Sequence, residues 1–116
     1  MKGDDIANRL LDFAVQVLRI ACRLPQTLQG RHVAKQITRS STAPGAHYDE
    51  ARGAESRADF VHKIKIAAKE MRESHYWLRL IQRAGMTPNL DLSSIIDEAR
   101  QLSAILTASA KTASGK

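Results

Sequence analysis

Residues 39–81 read RSSTAPGAHYDEARGAESRADFVHKIKIAAKEMRESHYWLRLI. The second half of this stretch decides the fold. Phe60, Ile64, Ala67, Met71, Ser74 and Leu78 recur at the three- and four-residue steps of one helix face. Ser56, with Asp59 three positions on, has the form of a capping box, with Asp in place of the usual Glu. Gly85 and then Pro88 supply a stop at the other end. The spacing therefore predicts a long helix 3 from Ser56 to about Ala84.

Ahead of it, Val33, Ala34, Ile37 and Ser41 mark the inner face of helix 2, which starts near Thr27 or Leu28. Arg31, Lys35 and Arg39 step along its outside. Pro44 removes a backbone donor, so a kink or break is expected there. His47 to Arg52 then adds a further helical turn or two. Helix 1 is expected from Asp5 to Leu24, capped by Asp4 or Asp5. Its face is Ile6, Leu10, Phe13, Val17, Ile20 and Leu24, but Leu11, Val15, Leu18 and Cys22 are apolar as well. The polar residues occupy only about 100° of the wheel, so this helix reads as burying two sides. Helix 4, from Asn89 or Asp91, buries Leu92, Ile95, Ile96, Ala99, Leu102 and Leu106.

Four such helices with short links predict an all-α, up-down-up-down antiparallel bundle. Residues 1–107 form its single domain. The Ala/Ser/Thr-rich residues 108–116 read as a frayed tail. A chain of 116 residues is long enough to build one core. The one cysteine excludes an internal disulfide and fits a reducing cytosol; Cys22 reads as a buried structural thiol. No apolar run is long enough to span a membrane. The opening MKGDDIANRL puts acids where a signal peptide is basic. A cytoplasmic location is expected.

The formal net charge is +6, which suits nucleic acid or an acidic partner. On helix 3, Lys65, Lys69, Arg72, Tyr76, Arg79 and Arg83 share an arc of about 80° with no acid in it. Together with Arg31, Lys35 and Arg39 they are the candidate phosphate contacts. The same faces are equally readable as solvated surface, or as partners of acids elsewhere. Five aromatic residues leave base stacking poorly supplied. A second patch on helix 3, Ile66, Trp77, Leu80 and Ala84, joins Leu11, Val15, Leu18 and Cys22 as a candidate contact between copies of the chain. The alternative is a broad core that absorbs them.

Chemistry finds no footing. None of the four histidines has HExxH spacing. His47, Asp49 and Glu50 point in different directions on a helix, so neither metal nor any other cofactor is expected. Asp49 and Glu50 are expected to pair with Arg52 or Arg57. There is no glycine-rich phosphate loop, no Glu-x-x-His pair, and no base placed beside Ser40 or Ser41.

Two segments carry a resemblance: LPQTLQGRHVAKQITRSS, and the stretch from Ser41 through GAHYDEA, AES, DF and YWL to Ile81. The chain resembles the 23S ribosomal RNA intervening-sequence proteins over about residues 13–106. That resemblance implies a four-helix bundle, a ring-like pentamer and no catalytic residue. Relatives of this family serve diversity-generating retroelements, where a basic pentamer binds nucleic acid and a reverse transcriptase. The resemblance thus implies RNA, DNA or a nucleic-acid-processing protein as partner. His47 departs from the family pattern, which has Asn there. Two functions remain in view: an oligomer that grips a nucleic-acid backbone, and an adaptor whose basic surface meets an acidic protein.

Overall fold

The computed structural model describes residues 2–115. Among them are four helices: α1 Gly3–Ala21, α2 Leu28–Arg52, α3 Arg57–Arg83 and α4 Ser93–Ala113. They form an up-down-up-down bundle in which α2 lies between α1 and α3, and α3 between α2 and α4. Cross-links between helices fix the antiparallel sense. Arg52 at the end of α2 reaches Asp4 at the start of α1, at 2.8 Å. Glu50 Oε1, also near the end of α2, accepts a hydrogen bond from Lys63 Nζ near the start of α3, at 2.8 Å. Arg9 holds Glu98 at 2.6 Å and so ties α1 to α4.

The helix ends follow their sequence signals. Thr27 Oγ1 accepts the Gly30 N–H at 3.0 Å, and Ser56 Oγ accepts that of Asp59 at 3.1 Å. Each satisfies a donor that has no partner inside its helix. Past α3, Gly85 adopts φ +64. Its N–H reaches Gln82 O at 3.1 Å, and Met86 N–H reaches Ile81 O at 3.1 Å. That pair of bonds is a Schellman motif, which calls for glycine at the left-handed position. Gly30 is fixed for another reason: a Cβ there would lie 1.9 Å from Pro25 O, so the α1–α2 loop closes only over a bare backbone.

The core is one cluster. Phe13, Ile37, Ile64, Met71, Leu78, Ile81, Leu102 and Leu106 are completely buried. Each such side chain contributes about 1.5–3 kcal/mol relative to exposure. Between α2 and α3 the core includes a small polar seam. Ser74 Oγ donates to Ser40 Oγ at 2.9 Å, both fully buried. Small hydroxyl residues at this position let the two helices approach while their polar groups are satisfied.

Three expectations need correction. Of the kink or break expected at Pro44, the break is absent: helix α2 runs without interruption to Arg52. Pro44 is itself a fully buried core residue, so packing on both sides carries the helix across the missing donor. In the turn before it, Thr42 Oγ1 donates to Thr38 O at 2.8 Å, and Ser41 Oγ donates to the same carbonyl at 3.4 Å. Second, residues 108–113 are not a tail. Helix α4 continues to Ala113, and Ala110 is buried. Alanine is the strongest helix former, and here it also fits the narrow space against α3. Third, Cys22 is exposed rather than buried. The helix stops at Ala21, and a tight turn follows in which Arg23 N–H reaches Ile20 O at 2.9 Å.

Candidate nucleic-acid interface

The six residues expected on the basic face of α3, Lys65, Lys69, Arg72, Tyr76, Arg79 and Arg83, are all exposed. Arg72 Nη2 donates to Thr107 Oγ1 of α4 at 3.3 Å. Among the described residues, Lys65, Lys69, Arg79 and Arg83 have neither an ion-pair nor a hydrogen-bond partner. The face divides in two. Lys65, Lys69 and Arg72 border a depression against the end of α4. Arg79 and Arg83 border another, with Tyr76, Leu80 and Ala84.

The outer face of α2 behaves differently. Arg31 Nη1 donates to the Gln26 carbonyl at 2.8 Å, and Lys35 is exposed and unpaired among the described residues. Arg39 is bound to two acids of α3. Its Nη1 reaches Glu70 Oε2 at 2.8 Å, and its Nη2 contacts Glu73 Oε2. The carboxylates raise the Arg39 pKa, the hydrogen bond to Glu70 foremost. The sequence reading counted Arg39 among the phosphate contacts. The structure gives its charge two partners within the same chain.

The acids near the end of α2 also pair otherwise than expected. Glu50 bonds Lys63, which holds its carboxyl below the usual range, while Arg52 bonds Asp4. His47 Nδ1 lies 4.0 Å from Glu50 Oε1. Among the described residues no group of three or more His, Cys, Asp or Glu is arranged to hold a metal ion. His75 is partly buried, and its pKa is pushed down by burial, then by Arg79 and Arg100.

The apolar candidates separate into a stripe and a groove. Leu11, Val15 and Leu18 project from α1 into solvent, Leu11 at 62% exposure, with exposed Cys22 in line beyond them. On the other side of the bundle, Trp77, Leu80 and Ala84 line a groove completed by Leu28, His32 and Met86. Ile66 is half-buried and does not line it. Trp77 and Leu80 also pack against the core, so the core absorbs part of this patch. Trp77 Nε1 donates to Glu73 Oε2 at 3.0 Å, and its ring meets His32 edge-on at 5.9 Å. Sequence reasoning missed Leu28, 75% exposed at the groove's lip. It also missed Lys111, which the tail reading discarded. The four-residue step from Leu106 to Ala110 was the available sign that α4 continues.

Among the described residues no helix is long and apolar enough to cross a membrane. No curated protein matches the chain. A solved structure from Bacteroides thetaiotaomicron is similar to it, at 34% identity and a TM-score of 0.85. The similarity covers 96% of this chain and 99% of that one, which is described as a protein of unknown function from the S23 ribosomal protein family. The family model for the 23S rRNA-intervening sequence protein matches residues 4–108. With four helices in the expected order and that match over most of its length, the chain belongs to the 23S rRNA-intervening sequence protein family.

Proposed function

We propose that this protein is a non-enzymatic, self-associating bundle of the cytoplasm that holds RNA or DNA by its backbone. One observation carries the reading: the acid-free, exposed line of cations on α3, most of them without a partner in their own chain. Charge of this kind contacts phosphates and carries little sequence information. Replacing Lys69, Arg79 and Arg83 by Glu abolishes retention of RNA in a filter-binding titration. Wild-type affinity in that variant contradicts the reading.

Self-association is supported by the α1 stripe, since solvent-facing leucines in a row mark contact surfaces. The family resemblance makes a pentamer the expected assembly. Light scattering on a sizing column reads it directly. Leu11→Asp with Leu18→Asp converts the oligomer to single chains, and a wild type that is already a single chain at high concentration removes this part of the proposal. A second reading, an adaptor for an acidic or nucleic-acid-processing protein, is favoured by the rim of Arg79 and Arg83 around apolar Leu80. Capture of such a protein that survives nuclease treatment supports it.

A further inference from the structure

The depression against the end of α4 is one half of a longer feature. Its walls are Lys65, Lys69 and Arg72 from α3, and Thr107, Lys111 and Ser114 from α4 and its cap. Ala68 and Ala110 form its floor. A second depression adjoins it, lined by Arg57, His62 and the apolar Val61. Lys65 and Ser114 line both, so the two form one trough along the α3–α4 seam. Among the described residues five cations and two hydroxyls border it, and no carboxylate does.

We propose that this trough binds one phosphodiester strand lengthwise, gripping its phosphates while the bases face away. The inference rests on the nucleic-acid reading above and assigns it a place. Arg57 to Arg72 spans about 22 Å of helix, several times the reach of a small anion, so the cations match a linear polyanion. Packed helices lie about 8–10 Å apart, a seam that takes one strand edge rather than a whole duplex. The floor is alanine and valine, and His62 at one end supplies the single ring of the walls, too little surface for successive bases to stack on. Thr107, whose oxygen accepts from Arg72, adds a hydroxyl donor of the kind that fixes a backbone's register, while the Ser114 hydroxyl donates to Lys111 O. An acidic peptide fits less well. Its amide N–H groups require acceptors, and the walls offer no carboxylate or side-chain amide.

The test uses the full chain, a labelled oligouridylate and a salt series. Five phosphate contacts on a single strand predict a slope of log affinity against log salt of about −3.5. The variant Lys65→Gln, Lys69→Gln, Lys111→Gln leaves two of the five cations, so its slope falls to about −1.4 and its affinity by more than about tenfold. Arg19→Gln with Arg23→Gln removes charge from the end of α1 and the turn after it and leaves binding within about twofold, which reports loss of net charge alone. All the substituted side chains are exposed, and the Glu versions repeat the test with a larger change. A duplex oligonucleotide separates a free strand from a strand edge, and binding of either through these lysines supports the trough. Equal weakening by the α1 variant overturns it. So does a greater loss from Arg79→Gln with Arg83→Gln, which leaves nucleic-acid binding standing but moves it elsewhere. A wild type that ignores both oligonucleotides and binds polyglutamate overturns the trough and the nucleic-acid reading together.

Discussion

Helix α3 meets its neighbours along two flanks, and they are built to opposite effect. Toward α2 the contact is closed at mid-length, beside the apolar groove of Trp77 and Leu80. Ser74 and Ser40 share a buried hydrogen bond, and above it Arg39 is clasped by Glu70 and Glu73. Toward α4 the contact is open at the surface. Lys65, Lys69 and Lys111 line it, and among the described residues no acid answers them. Both flanks carry cations; toward α2 Arg39 is compensated within the chain, whereas among the described residues the lysines toward α4 are not. A cation's sign says little about its use until the acids of the neighbouring helix are placed.

The contrast is sharpest under substitution. Ser74→Leu forces a bulky side chain into a full seam and strips Ser40 of its donor. It destabilises the fold by about 2–3 kcal/mol in urea unfolding, while Lys69→Leu on the open flank changes stability by no more than about 0.5 kcal/mol. Equal losses at the two positions would erase the distinction. Next in size is Arg39→Ala. Its ion pairs are solvent-exposed, so their loss costs under about 1 kcal/mol after screening. Lys65→Ala costs nothing measurable, and a clear loss there would reveal a partner that the open flank is said to lack.

The smallest effect is one of pH. His75 has a pKa below its ordinary 6.5 because burial opposes its charged form. The unfolded chain then takes up more protons near that value, so stability rises with pH through this range and falls on acidification below it. His75→Asn flattens the urea midpoint between about pH 7.5 and 5.5. Glu50 has the carboxylate version of the same sign. Its pKa is lowered by Lys63, so its contribution holds above the ordinary carboxylate range and disappears as pH falls through it. A midpoint that rises on acidification contradicts both assignments.

Much of this fold was legible in the sequence because it rests on local rules. The period of Phe60 to Leu78, the caps at Thr27 and Ser56, and the stop at Gly85 each act within a turn or two. What could not be read depends on contacts between distant segments. Pro44 obeys its packing rather than its propensity. Arg39 looks free until acids 31 and 34 positions away are brought beside it. The α3 half of the trough shows on a helical wheel. Its α4 wall requires the register between two helices, and that is set by the core. Ala108 to Ala113 were hidden because their composition resembles a linker until Ala110 is seen packed.

Trp77 is the only indole in the chain, and it sits on the α2 flank at the apolar groove, bonded to Glu73 and edge-on to His32. This intrinsic fluorophore lies at the apolar groove, on the other side of the bundle from the α1 stripe and away from the trough. Its emission shifts when a neighbour covers the groove or when the clasp on Glu73 opens. Filling of the opposite seam leaves the spectrum unchanged. Covering of the groove and capture of a strand in the trough can therefore be told apart in a single cuvette, with the unlabelled protein as its own gauge.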